Sequence, residues 1–101
     1  MALRAVFAVY GGLKDGNQDD TQAADMTDAL QEQFNLHPNG VVEIKNENLG
    51  GDPAKGVPKH FAAIVEVDGV RTPFACEEGQ KIDFSSVRHN NSGGGRRSFA
   101  R

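Results

Sequence analysis

Apolar and polar positions along the chain alternate with the period of a strand in some stretches and recur with the period of a helix in one. Leu3 to Tyr10 is almost continuously apolar, rich in Val, Phe and Tyr, and stops at Gly11-Gly12, so it predicts an interior strand. The polar stretch Lys14 to Thr21 follows. Ala23, Met26, Leu30 and Phe34 then recur at helical spacing, with Asp20, Thr21 or Asp25 able to cap the helix and Pro38 ending it. Asn39-Gly40 turns the chain into Val41 to Lys45, a short strand in which Val42 and Ile44 share a face.

Phe61 to Val67 and Val70 to Cys76 are two strand-like runs separated by Asp68-Gly69, a strong type I′ hairpin signature. A two-residue loop sets Val67 opposite Val70, Val65 opposite Thr72, Ala63 opposite Phe74 and Phe61 opposite Cys76, all on one side, which predicts the core face. The other side pairs Glu66 with Arg71 and His60 with Glu77. Glu78-Gly79 turns into Lys81 to Ser85, where Ile82 and Phe84 alternate with Asp83. The predicted order is β-α-β-β-β-β, an α+β fold with one helix packed on a small, mostly antiparallel sheet or partial sandwich.

Between the predicted strand ending at Lys45 and the hairpin lies Asn46 to Lys59, a long connection for so small a domain. Gly50, Gly51 and Gly56 can take positive φ, while Pro53 and Pro58 fix φ and restrict their predecessors, so an ordered loop is expected. Asn46, Asn48, Asp52, Lys55, Lys59 and the amides of Gly50 and Gly51 are the candidate contact groups for a polar ligand or partner. The same Asn and Asp side chains can instead satisfy the loop's own backbone.

Composition narrows the function classes. The chain has 101 residues, 38% of them hydrophobic, with a mean hydropathy of -0.51. That fits one core and no large internal catalytic cavity. The net charge of -3 conceals a division: residues 1 to 86 carry seven Lys/Arg against all fourteen Asp/Glu, whereas residues 87 to 101 carry Arg88, Arg96, Arg97 and Arg101 and no acid. A globular domain over 1–86 and a basic Gly/Arg tail over 87–101, linker-like from Asn90 to Gly95, follow from that shift. Arg96, Arg97 and Arg101 are the tail's candidate contacts with an acidic surface, including the acidic body of another copy. Four arginines give a modest, salt-sensitive attraction, and the acidic body repels phosphates, which disfavours nucleic acid. The single cysteine, Cys76, rules out an internal disulfide framework, and no apolar run reaches the length of a secretory signal or a membrane span. The expected location is cytoplasmic.

Tyr10-Gly11, Asp25-Met26-Thr27 with Leu30, the loop Asn46 and Asn48-Leu49-Gly50-Gly51-Asp52-Pro53-Ala54 with Gly56 and Lys59, and Glu78-Gly79 before Ile82 form one constellation. Over residues 4 to 85 it resembles the domain of unknown function at the C-terminus of a mitochondrial J-domain co-chaperone, which also occurs as stand-alone proteins. The resemblance implies a small β-rich module with no established enzymatic activity and supplies no catalytic residues. The chain has no J-domain-like stretch, so a co-chaperone role does not transfer.

Other chemistry is weakly supported. Gly51 and Gly56 have the spacing of a phosphate-binding P-loop, but Val57-Pro58 stands where Lys and Ser/Thr are required. Asp15, Asn17, Asp19 and Asp20 resemble the start of a calcium loop, yet the sixth position is Asp20 instead of Gly and the twelfth is Met26 instead of Glu. Cys76 with His60 as base is a thiol-enzyme arrangement that the hairpin register opposes, since the two point to opposite faces. His37, His60 and His89 have no zinc spacing. No metal and no cofactor are expected. The sequence therefore predicts a non-enzymatic module whose loop or open sheet edges bind a protein partner or other copies of itself. The alternative is a small lectin-like binder using the 46–59 loop for a carbohydrate, although the absence of Trp removes the usual stacking surface.

Overall fold

The computed structural model describes residues 2–85. The basic segment with Arg96, Arg97 and Arg101 lies outside the described residues. The fold is α+β: one helix and six strands, with all strand pairs antiparallel. In chain order these are β1 (Leu3–Leu13), β2 (Thr21–Asp25), α1 (Thr27–Leu36), β3 (Val41–Glu43), β4 (His60–Val67), β5 (Val70–Glu77) and β6 (Lys81–Asp83). A four-stranded sheet runs β2-β1-β4-β5, and β3 pairs with β6 as a separate two-stranded ribbon.

The hairpin forms in the expected register. Val67 pairs with Val70, Val65 with Thr72, Ala63 with Phe74 and Phe61 with Cys76. Asp68 and Gly69 take φ of 50° and 88°, the doubly positive pair that a type I′ turn needs. Val70 departs from the expected core face and is 61% exposed, because it sits at the hairpin tip beyond the cover over the sheet.

The segment before the helix differs from its sequence reading. Ala23 belongs to β2, and the helix begins at Thr27. Thr21 to Asp25 pair with Leu13 to Val9 across a sharp connection that includes a short 3-10 turn at Lys14–Gly16. Glycine permits the close approach: a Cβ on Gly11 would lie 2.1 Å from the Gln22 carbonyl oxygen. Long-range ladder bonds thus override the helical spacing of Ala23 with Met26. None of the proposed caps occupies the N-cap, which is Met26; Asp25, just before it, accepts from the Thr27 amide at 2.9 Å and from the Thr27 hydroxyl at 2.5 Å. That hydroxyl in turn accepts from the Ala8 amide, which ties α1 to β1.

One side of the large sheet carries the core. Tyr10, Ala8, Phe61, Ala63 and Val65 from the sheet meet Leu30 and Phe34 from α1 and Val42, Ile44, Ile82 and Phe84 from the ribbon and its flanks. Phe84 joins the parts, edge-on to Phe34, Phe61 and Phe74 at centroid distances of 5.0, 6.5 and 4.6 Å. Burying a ring of this kind stabilises a fold by about 2–3 kcal/mol. Leu49 from the long loop joins this core, and Ala54 is buried as well. Helix, ribbon and loop all cover this one side.

Candidate functional site

The 46–59 loop is organised around a buried ammonium. Lys59 directly precedes β4, and the strand period places it on the side of Phe61, Ala63 and Val65, so its side chain enters the domain and is only 4% exposed. Its Nζ donates to the carbonyl oxygens of Ala54 and Val57 at 3.0 and 2.9 Å. It lies 3.1 Å from Asp52 Oδ1 and 3.4 Å from Glu78 Oε1. Asp52 Oδ1 also accepts from the Ala54 amide at 2.9 Å. Burial pulls the Lys59 ammonium toward neutrality, but the hydrogen bond to Asp52 and the charges of Glu78 and Asp52 outweigh it, leaving the pKa above its ordinary value. The Asp52 carboxyl is held below its usual range, first by the Ala54 amide and then, against desolvation, by Lys59.

Tyr10 closes the other end of this polar interior. Its ring is fully buried, and its hydroxyl donates to Asn46 Oδ1 at 2.7 Å. Burial, followed by the charges of Glu78 and Asp52, pushes its pKa up to about 12, so it stays a neutral donor. The Asn46 backbone carbonyl accepts from the backbone amides of Leu49 and Gly51 at 3.2 and 2.9 Å, and Asn48 Nδ2 donates to the Glu43 carbonyl at 2.8 Å. The polar side chains of Asn46, Asn48, Asp52 and Lys59 therefore have partners inside the domain. Gly50 and Gly51 take φ of 90° and 145°, and a Cβ on Gly51 would meet open space. Gly50, Gly51 and Lys55 are the members of the predicted site that are exposed.

Cys76 and His60 are not brought together as an acid–base pair. Cys76 is half-buried against the core and lies across from Phe61, whereas His60 lies across from Glu77 with Nε2 3.8 Å from Oε2. Burial, then the Glu77 charge, raises the thiol pKa and so favours the protonated, weakly nucleophilic form. Among the described residues no group of three or more His, Cys, Asp or Glu side chains is placed to hold a metal ion. No described helix is long and apolar enough to cross a membrane.

Sequence reasoning singled out the loop and passed over the opposite face of the large sheet. There β1, β4 and β5 align side chains in rows. Phe7, Ile64 and Pro73 form one row, and Val9, Ala62 and Ala75 the next. Phe7 is 48% exposed, and Ala62, Pro73 and Ala75 are exposed as well. Two shallow apolar depressions, about 370 and 780 Å³, lie along this face. Arg4, Glu66 and Arg71 bound it at one end, with Arg4 Nη2 2.9 Å and Arg71 Nε 3.2 Å from Glu66 Oε2. His60 and Glu77 bound it at the other. The signal was present in β1, whose nearly unbroken apolar run means apolar residues on both faces. Strands of that kind are ordinarily covered on both sides.

No protein-family model, curated protein or solved structure matches this chain at a significant level.

Proposed function

We propose that the protein is a non-enzymatic binding and assembly module that works through protein–protein contacts, with the open face of the four-stranded sheet as its contact surface. The observation that carries this reading is the contrast in cover. Helix, ribbon and long loop pack on one side of the sheet, while Phe7, Val9, Ala62, Ile64, Pro73 and Ala75 form a continuous apolar band on the other. Exposed apolar bands framed by charge are the usual form of a protein contact surface. The resemblance to a β-rich module without an established enzymatic activity is compatible with this reading.

The lectin-like alternative depends on free polar groups in the 46–59 loop, and Asn46, Asn48 and Asp52 already hold internal partners. Equilibrium sedimentation of the full chain from micromolar to millimolar concentration tests the assembly reading. A mass that rises with concentration is expected. A strict monomer throughout overturns it.

A further inference from the structure

We infer that the occupant of the open sheet face is a second copy of this chain, seated face to face with its strands running antiparallel to the first. The inference rests on the assembly reading and names its partner and geometry.

The edges of the sheet are poor docking sites, which directs association to the face. In a two-residue hairpin the closing pair Val67–Val70 exchanges hydrogen bonds, and alternate pairs follow suit. Ile64–Pro73 is therefore a pair whose outward groups on β5 point to the free edge, where Pro73 has no N–H to offer. The other edge strand, β2, has only five residues. Both are standard protections against edge-to-edge pairing.

The face itself is self-complementary under one particular two-fold axis. Four successive rows cross β1, β4 and β5: Arg4-Glu66-Arg71, Phe7-Ile64-Pro73, Val9-Ala62-Ala75 and Gly11-His60-Glu77. An axis parallel to the rows, running between the second and third, reverses the strands and keeps each strand over its own copy. The bulkier second row of one copy then lies on the smaller third row of the other: Ile64 on Ala62, Pro73 on Ala75, Phe7 on Val9. The charged ends exchange too. Arg71 meets Glu77, and Glu66 meets His60. An axis along the strands instead superposes like rows and brings Arg4 toward Arg71, cation on cation. Shape and charge thus select the same arrangement, an aligned sheet packing of the common kind.

The size of the face sets the strength. Three strands at about 4.8 Å spacing and the Arg4-to-Gly11 span at about 3.4 Å per residue enclose about 340 Å² per copy. The total is about 700 Å², below the usual size of specific interfaces, so a dissociation constant on the order of 500 µM is expected.

The test is equilibrium sedimentation of the full chain and of four variants, each checked for fold by circular dichroism and thermal melting. Ala62→Glu, exposed in the monomer, should retain the fold and lose association by about tenfold or more. Arg71→Glu and Glu77→Arg alone should each weaken the dimer about fivefold, and the double variant should return to within about twofold of the parent. Association that ignores Ala62→Glu, or a double variant no better than the single ones, overturns the face-to-face dimer and leaves the assembly reading standing. A monomeric parent at millimolar concentration overturns both.

Discussion

The 46–59 loop and the open sheet face divide the molecule's interactions in opposite ways. The loop is the most compositionally distinctive part of the chain, yet its key polar groups turn inward: Lys59 donates to two carbonyls and lies beside two carboxylates, and Asn46 receives the Tyr10 hydroxyl. The face is built of alanine, valine, proline, isoleucine and phenylalanine in simple alternation, and it has no cover among the described residues. Conspicuous composition marked an internal framework, whereas plain composition marked the surface with unmet contacts. The physical reason is that a buried polar group must find a partner within the fold, while apolar surface in water is relieved only by another surface.

The largest expected effect falls on the loop. Lys59→Met keeps the stem volume but removes the cation that Asp52, Glu78 and the carbonyls of Ala54 and Val57 share, and should cost about 3 kcal/mol in a urea titration. A variant as stable as the parent would mean that the ammonium does not organise the loop. Next, Gly12→Ala should cost about 2 kcal/mol, because its Cβ would lie 2.4 Å from the Pro58 carbonyl oxygen and push the loop off β1. Hydrogen exchange should show the opening concentrated in residues 46–59.

Tyr10→Phe probes the same interior more gently. Loss of the bond to Asn46 should lower stability by about 1 kcal/mol at neutral pH. The phenol's folded pKa of about 12 lies above its unfolded value near 10, so its contribution is complete below pH 10 and disappears as pH rises toward 12. Lys59, also raised, adds loss in the same alkaline direction. The parent should therefore destabilise more steeply than Tyr10→Phe between pH 10 and 12, and parallel curves would refute the assignment. The smallest effect on stability belongs to the open face. Ala62→Glu should change the unfolding free energy from urea titration by less than about 0.5 kcal/mol, and a large loss would show that the face is part of the core after all.

Parts of this picture could be read locally. The hairpin register followed from Asp68-Gly69 and the alternation around it, because a turn that needs positive φ twice admits few residues and sets every pair beyond it. Leu30 and Phe34 were placed in the core by their spacing. Thr21 to Asp25 was misread because its pairing with β1 depends on Gly11 allowing a neighbouring backbone to come close, a relation between distant residues that periodicity does not encode. Lys59 was legible in principle, since it shares its parity with Phe61, Ala63 and Val65. Its charge nevertheless argued for the surface until Asp52 and Glu78 could be seen beside it.

The sequence by itself determined the α+β class, the hairpin with its register, the helix stop before Pro38 and an ordered connection between β3 and β4. Each rests on backbone preferences or periodicities that act over a few residues. Only the tertiary structure decided that the polar loop closes on itself, that Tyr10 is held neutral by burial, and that helix, ribbon and loop all choose one side of the sheet. Those outcomes depend on which distant groups share a dry interior and which surface remains when it has closed, and both are properties of the packed molecule.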